Sequence, residues 1–159
     1  CTGSGCILLS LLHYSNHCAG TGSDVSEAAL KVAEENARTL GQKAQFVRSD
    51  LFENMSGKYE VIVCNPPYIP SGEIPGLMEE VREHDPRSAL DGGEDGLYFY
   101  KKIIAQAGGY LTPGGRLYFE IGCSQAEAVS ALMKAAGYRE VNVCRDLAGL
   151  DRVVSGMAR

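Results

Sequence analysis

The tetrapeptide Asn65-Pro66-Pro67-Tyr68 contains the residue types best suited to a chemical role. Asn65 offers a side-chain carbonyl as an acceptor, and Pro66 offers a main-chain carbonyl on a backbone whose φ is fixed. Two fixed acceptors can hold both hydrogens of a planar NH2 group, while Tyr68 presents an aromatic face. The motif therefore predicts a site for an amide or an aromatic amine, although the same residues could form only a stiff turn.

A second candidate is the glycine-rich turn Cys1-Thr2-Gly3-Ser4-Gly5, which opens a predicted helix. Glycines let a ligand approach the backbone closely, and the N-terminus of a helix lies behind them. A dinucleotide fingerprint would need a glycine three residues after Gly5, where Leu8 stands. The turn therefore disfavours NAD and FAD.

Two acidic residues are predicted to stand at the ends of strands, where ligands bind in such proteins. Asp24 could accept hydrogen bonds from both hydroxyls of a ribose, or it could help to cap the helix that follows. Asp50 could accept from an exocyclic adenine amine while Leu51 or Phe52 packs on the ring. Without further context, however, an Asp at a strand end is more often a turn residue.

Strands and helices are predicted to alternate along almost the whole chain. The predicted elements are helix 6–12, strand 18–25, helix 26–40, strand 44–48, strand 59–64, helix 96–107, strand 116–121, helix 124–136 and strands 140–144 and 152–155. We expect the first helix to be buried over most of its circumference and to end before Asn16, and strand 59–64 to be covered on both faces. This alternation indicates a doubly wound α/β sheet, with an antiparallel hairpin made by the last two strands at its edge.

Composition narrows the class of protein. The chain has 159 residues, 45% of them hydrophobic and 22% charged, as expected for one soluble globular domain. No apolar run approaches the roughly 18 residues that a membrane helix needs. Six scattered cysteines without metal spacing predict buried thiols, no metal site and a cytoplasmic protein. The net charge of −5 argues against a nucleic-acid partner.

Taken together, these residues resemble those of the release-factor glutamine methyltransferases, within the class I S-adenosylmethionine-dependent enzymes. The resemblance covers essentially all of the chain and is carried by seven segments: Thr2-Gly3-Ser4-Gly5, Asp24, Ser49-Asp50-Leu51-Phe52, Asn65-Pro66-Pro67-Tyr68, Ala89-Leu90-Asp91-Gly92-Gly93, Glu120-Ile121-Gly122 and Asp151-Arg152-Val153. It implies a Rossmann-like fold with a mostly parallel sheet, a C-terminal antiparallel hairpin and a truncated first strand.

The resemblance also implies roles for single residues. Residues Cys1 to Gly5 would face the methionine part of S-adenosylmethionine, Asp24 its ribose, and Asp50 with Leu51 its adenine. Asn65, Pro66, Pro67 and Tyr68 would bind the substrate glutamine, with Asn65 and Pro66 as the catalytic pair and Asn65 also in contact with the cofactor. Three departures weaken the match: an acidic residue before the glycine turn is absent, Cys1 replaces a common glycine, and Asp85-Pro86 replaces a frequent Glu-Pro.

The implied reaction is methyl transfer to the side-chain amide of the glutamine in the Gly-Gly-Gln motif of peptide chain release factors, which tunes translation termination. S-adenosylhomocysteine would be the product, no metal is required, and we expect a cytoplasmic monomer. The sequence begins without Met, inside the glycine turn. We therefore expect residues 1–159 to be the catalytic domain of a longer protein, without the family's N-terminal helical domain that grips the release factor.

The segment from residue 69 to residue 96 bears on the substrate. It contains eight acids against the two bases Arg82 and Arg87: Glu73, Glu79, Glu80, Glu83, Asp85, Asp91, Glu94 and Asp95. Such a surface would repel a phosphate backbone, which favours a protein substrate, although the acids could form only a solvated face.

Two alternatives stay open. One is an amino methyltransferase acting on adenine or guanine of DNA or RNA, and the other is a binding module without turnover. The three histidines, His13, His17 and His84, are expected to be surface or packing residues rather than catalytic bases, because a methylated amide can lose its proton to water.

Overall fold

The computed structural model describes residues 1–15, 18–84 and 86–159, with the main chain alone at positions 83 and 84. The expectations for Asn16, His17 and Asp85, and for the side chains of Glu83 and His84, lie outside what it describes. The chain folds as two compact units, residues 1–57 and residues 58–159. No helix among the described residues is long and apolar enough to cross a membrane.

Among its described residues, the first unit contains two helices and two parallel strands: α1 (Cys6–Tyr14), β1 (Gly20–Asp24), α2 (Glu27–Thr39) and β2 (Ala44–Arg48). Strands β1 and β2 pair in register from Gly20 opposite Ala44 to Asp24 opposite Arg48. Asp24 therefore stands at the carboxyl end of its strand, as predicted.

Helix α2 begins and ends where its sequence predicts. The Ser26 side chain accepts a hydrogen bond from the Ala29 N–H at 3.2 Å, which satisfies one of the donors left unpaired at a helix N-terminus. Gly41 follows the helix with a φ of 65°, a left-handed conformation that glycine adopts without strain. The apolar residues at helical spacing are buried: Leu30, Ala33 and Ala37.

The second unit is built on a four-stranded sheet with the order β3-β4-β6-β5. Its elements are β3 (Tyr59–Cys64), a 3-10 turn (Ile74–Gly76), α3 (Glu79–His84), α4 (Arg87–Leu90), α5 (Tyr98–Ala107), β4 (Leu111–Glu120), α6 (Ala126–Ala135), β5 (Arg139–Arg145) and β6 (Asp151–Met157). Strands β3 and β4 are parallel, whereas β6 is antiparallel to both β4 and β5. The predicted C-terminal hairpin at the sheet edge is confirmed.

The core of this unit lies between its helices and the central strands. Tyr100 of α5 and Phe119 of β4 are fully buried and meet edge to face, with ring centroids 5.2 Å apart. Ile103 from α5, Leu117 from β4 and Val129 from α6 are at most 1% exposed. Burial of these side chains holds α5 and β4 together, and the candidate substrate loops are attached to their ends.

Two predictions about the burial of helices and strands are wrong. Helix α1 buries only Leu9 and Leu12, while Leu11 is 47% exposed and Tyr14 is 86% exposed. No residue of β3 is buried, because β3 is the edge strand of its described sheet and pairs only with β4.

The cysteine thiols also differ from expectation. Five of the six are exposed and Cys64 is partly buried, although no disulfide joins any of them. Cys144 lies on β5, the opposite edge strand, where little covers the side chains. The apolar run around a cysteine thus did not predict whether its thiol is buried. Burial depends on whether another element packs against the strand that carries the cysteine.

Candidate active site

The glycine-rich turn lies against the end of β1 in the first unit. The Thr2 N–H donates to the Ser23 carbonyl oxygen at 2.9 Å, and the Gly5 N–H donates to the Thr2 carbonyl oxygen at the same distance. Gly3 and Gly5 have φ values of 55° and 79°, a left-handed conformation that residues with a side chain rarely adopt. An ideal Cβ on Gly3 would meet no atom within 4 Å, so there is open room beside the turn.

Asp24 joins this turn to the start of α2. One carboxylate oxygen accepts the Gly3 N–H at 2.9 Å, and the other accepts the Ser26 N–H at 3.0 Å. The side chain is only 13% exposed. Asp24 therefore helps to hold the entry to α2, as the capping alternative proposed, and at the same time anchors the glycine turn.

Residues 49–52, which follow β2, form the third part of the candidate site in the first unit, after the glycine turn and Asp24. The Ser49 N–H donates to the Asp24 carbonyl oxygen at 3.0 Å, which ties the end of β2 to the end of β1. Leu51 has a φ of 50°, an uncommon conformation for a residue with a branched side chain. Asp50 is exposed and Phe52 is buried, so of these two only Asp50 is open to solvent.

In the second unit, β3 leads directly into Asn65-Pro66-Pro67-Tyr68. Asn65 is exposed, Pro66 and Pro67 are buried, and Tyr68 is partly buried. The buried prolines anchor a backbone whose φ angles are already fixed, and the exposed asparagine stands at the strand's carboxyl end. This arrangement presents a polar side chain on a rigid support.

The Ala-Leu-Asp-Gly-Gly segment lies beside this motif. The Ile69 N–H donates to the Leu90 carbonyl oxygen at 3.0 Å, and the Gly92 N–H donates back to the Ile69 carbonyl oxygen at 2.8 Å. An ideal Cβ on Gly92 would lie 2.7 Å from the Tyr68 Cα, which no real Cβ tolerates. Gly92 is therefore required because the two chain segments approach too closely for any side chain.

Asp91 fastens the same segment. Its carboxylate accepts hydrogen bonds from the Ser71 hydroxyl at 2.5 Å, the Gly93 N–H at 3.0 Å and the Arg87 guanidinium at 3.2 Å. The Ser71 hydroxyl and the Gly93 N–H hold the pKa of Asp91 below its usual value. Asp91 is thus a structural acid, which the acidic character of the segment alone did not reveal.

The other described acids of the segment are spread over its surface. Asp95 is paired with Lys101, and four more are exposed: Glu73, Glu79, Glu80 and Glu94. Among the described residues, no group of three or more histidine, cysteine or acidic side chains could hold a metal ion.

Tyr68 is held at both ends. Its main-chain carbonyl accepts from the Gln125 side chain at 2.9 Å, and the Arg152 guanidinium acts on its hydroxyl. Arg152 in turn donates to Asp146 at 3.2 Å and to the Ile121 carbonyl oxygen at 3.1 Å. Burial raises the pKa of the Tyr68 hydroxyl, with the charge of Glu120 adding to it, while Arg152 acts in the opposite sense. The phenol therefore stays protonated at neutral pH.

The model of the methyltransferase small domain family matches residues 1–85. The chain belongs to this family. Its likeness to a methyltransferase from Pyrococcus furiosus, with a TM-score of 0.74 at 17% identity over 98% of this chain and 71% of that one, shows the class I methyltransferase fold. The fold class predicted from the order of elements is confirmed.

Curated relatives of this methyltransferase domain also carry the predicted family name. A release factor glutamine methyltransferase from Geobacter sulfurreducens is 41% identical over 97% of this chain and 55% of its own length. One from Bradyrhizobium diazoefficiens is 48% identical over 97% of this chain and 53% of its own length. The resemblance seen in the motifs is confirmed, and the chain spans about half the length of the curated relatives it matches.

The structure thus collects the predicted methyltransferase site residues in two groups. Residues 1–5, Asp24 and Asp50 with Leu51 belong to the first unit, and residues 65–68 belong to the second. Sequence reasoning missed Gln125 and gave no role to Arg152. The signal that could have found Gln125 is its position at the start of α6, three residues after Gly122, the last residue of a segment that carried the resemblance.

Proposed function

We propose that the full-length protein transfers a methyl group from S-adenosylmethionine to the side-chain amide nitrogen of the glutamine in the Gly-Gly-Gln motif of peptide chain release factors. The observation that carries this proposal is the exposed Asn65 on two buried prolines at the end of β3. Relatives that are 41% and 48% identical and named for this reaction support it.

The first unit fits the cofactor. A carboxylate has about four acceptor positions, and the backbone uses one on each oxygen of Asp24, so acceptor capacity remains for two ribose hydroxyls. The open room at Gly3 suits the methionine part against residues 1 to 5, and the exposed Asp50 with Leu51 would bind the adenine. When bound, the cofactor supplies an electrophilic methyl group.

The second unit fits a substrate amide. The side-chain oxygen of Asn65 and the main-chain oxygen of Pro66 would accept the two hydrogens of the glutamine NH2 group, and Tyr68 would pack against its chain. Asn65 is also expected to contact the cofactor. Because the prolines fix the backbone, the two acceptors would be in place before the substrate arrives.

Positioning carries most of the catalysis in this proposal. An amide nitrogen is a poor nucleophile because its lone pair is delocalised into the carbonyl, and alignment with the methyl group can supply roughly 7 to 11 kcal/mol. The acceptors on Asn65 and Pro66 would also stabilise positive charge that develops on nitrogen. The methylated nitrogen then loses one proton to water, which needs neither a metal nor a histidine base.

The alternative is a nucleic-acid amino methyltransferase, because an exocyclic NH2 group on adenine or guanine would satisfy the same acceptors. Exposed Glu73, Glu79, Glu80 and Glu94 disfavour it, since a phosphate backbone beside them would be repelled. A cytoplasmic monomer whose partners are release factors is part of our proposal, as is the assignment of residues 1–159 to the catalytic domain.

The test is methyl transfer from radiolabelled S-adenosylmethionine by the full-length protein to three substrates in parallel. These are a release factor, the same factor with the glutamine of Gly-Gly-Gln changed to alanine, and mixed DNA and RNA. Label in the intact factor alone supports the proposal. Label in nucleic acid would establish the alternative, and equal label in both factors would place the modified residue elsewhere.

A further inference from the structure

We infer that Gln125 is a positioning residue for methyl transfer, which holds the Asn-Pro-Pro-Tyr motif in its productive place. This inference rests on the proposed function for its catalytic meaning, but its structural part can be tested without any substrate. Gln125 lies at the start of α6, 57 residues beyond Tyr68 in the sequence.

Each polar atom of the Gln125 side chain has partners of the matching kind. Its Nε2 donates to the main-chain carbonyl oxygens of Tyr68 at 2.9 Å and Gly96 at 3.3 Å. Its Oε1 accepts from the Gly122 N–H at 3.0 Å and lies 3.5 Å from the Tyr100 hydroxyl, which donates its proton to the Glu120 carbonyl oxygen at 2.8 Å. One side chain thus connects the motif, the start of α5 and the end of β4.

These partners also determine which side chain can stand at position 125. Two carbonyl oxygens require an NH2 group, while the Gly122 N–H requires an oxygen acceptor at the other end of the same group. A carboxylate would set negative oxygens against two carbonyl oxygens, and an aliphatic side chain would leave the two carbonyl oxygens and the N–H without this partner. A primary amide of this length satisfies both requirements.

The surroundings leave little room for the motif to adjust. An ideal Cβ on Gly96 would clash with the Tyr68 carbonyl oxygen, and one on Gly92 would lie 2.7 Å from the Tyr68 Cα. Only Pro66 and Pro67, whose φ angles are fixed, separate Tyr68 from Asn65. If the Tyr68 carbonyl moves, the acceptors on Asn65 and Pro66 should therefore move with it, because the intervening backbone has little freedom to compensate.

Two substitutions in the full-length protein separate positioning from general packing. Gln125→Leu removes the donors and the acceptor, whereas Gln125→Glu keeps the acceptor and replaces the donors by a group that donates only when protonated. Gln106→Glu is the matched control, because Gln106 is exposed on α5 of the same unit. We measure kcat, the KM for the release factor, the dissociation constant of S-adenosylmethionine and amide hydrogen exchange.

At neutral pH we expect kcat to fall roughly 10- to 100-fold in both Gln125 variants, because small misplacements of reacting groups cost rates of this order. Cofactor affinity should stay within about threefold, since all the proposed cofactor residues except Asn65 belong to the first unit. The kcat of Gln125→Glu, relative to wild type at each pH, should recover as the pH is lowered and its carboxyl gains a proton. A residue that only fills space would show no such recovery.

Amide hydrogen exchange tests the same inference without a methyl-transfer assay. The Ile69 and Gly92 amides, which join the motif to its neighbouring segment, should exchange at least about tenfold faster in both Gln125 variants and be unchanged in Gln106→Glu. Unchanged exchange, or no recovery of Gln125→Glu at lower pH, overturns the inference. If Gln125→Leu does not fold, the Gln125→Glu variant alone tests the inference.

The two hypotheses can fail separately. If the wild-type protein methylates no release factor, the proposed function fails, while the exchange rates of the Ile69 and Gly92 amides still decide whether Gln125 holds the motif. If wild-type transfer occurs and the Gln125 variants match it in kcat, the positioning inference fails and the proposed function stands.

Discussion

One carboxylate oxygen of Asp24 accepts the Gly3 N–H at 2.9 Å, although the two residues stand 21 positions apart in the sequence. The acid at the end of β1 therefore supports the backbone of the glycine turn, and it is also the residue proposed to bind the ribose. A substitution at Asp24 should disturb both roles.

Asp24→Ala should weaken S-adenosylmethionine binding by roughly 1 to 3 kcal/mol, because ribose hydroxyls and the Gly3 N–H would lose their acceptor. Isothermal titration calorimetry measures this change. Glu35→Ala, at an exposed position on α2 of the same unit, is the control and should bind normally. An affinity for Asp24→Ala equal to that of wild type would restrict Asp24 to its structural role.

Asn65→Ala should abolish methyl transfer while cofactor affinity stays within about tenfold, because its amide orients the substrate more than the cofactor. Since Asn65 is exposed, the free energy of unfolding should change by no more than about 0.5 kcal/mol. A filter-binding assay for labelled release factor measures the transfer. Asn142→Ala, at an exposed position on β5, should keep full activity, and turnover by Asn65→Ala at the wild-type rate would refute the assignment.

Gly92→Ala should lower activity by more than about tenfold and destabilise the protein by about 1 to 3 kcal/mol, because the added Cβ would lie 2.7 Å from the Tyr68 Cα. Gly72→Ala is the matched control, since a Cβ there meets nothing within 4 Å. Chemical denaturation and the methyl-transfer assay compare the two. Equal behaviour of both variants would mean that the motif can move aside without loss.

Tyr68→Phe should keep activity within about tenfold, because the aromatic face remains, and should change the free energy of unfolding by no more than about 1 kcal/mol, because only the hydroxyl's interaction with Arg152 is lost. Tyr68→Ala removes the face as well and should lower kcat/KM by roughly 100-fold. Steady-state kinetics of the two variants distinguish the contribution of the aromatic ring from that of the hydroxyl. If Tyr68→Phe were as inactive as Tyr68→Ala, the hydroxyl rather than the face would be the essential group.

The lowered pKa of Asp91 predicts that the stability of the folded protein depends on pH. Hydrogen bonds from Ser71 and Gly93 lower its pKa in the folded state, so its stabilisation is fully present above the unfolded pKa of about 3.9 and is lost as the pH falls through the lower folded value. The difference in Tm between wild type and Asp91→Asn should therefore be constant above about pH 5 and shrink in stronger acid. A difference that did not change down to pH 2 would contradict this role.

Much of the fold could be predicted from local patterns. Strands β2 and β3 have the predicted bounds, Ser26 caps α2, and Gly41 and Gly137 follow α2 and α6 in left-handed conformations. Each of these features depends on residues close in sequence, so propensity, spacing and glycine placement reveal it. The exposed sides of α1 and β3 were missed because burial depends on which other element packs there.

By itself, the sequence determined the alternating α/β order, the resemblance to release-factor glutamine methyltransferases, and the candidate residues in the glycine turn, at Asp24, at Asp50 and in Asn65 to Tyr68. Only the tertiary structure showed that Gln125 holds the Tyr68 carbonyl, that the Arg152 guanidinium acts on the Tyr68 hydroxyl, and that Asp91 accepts a hydrogen bond from Ser71. These contacts join residues 20 to 84 positions apart, a separation over which no local periodicity exists. Side chains of this kind become recognisable only when the packed chain brings donor and acceptor within hydrogen-bonding distance.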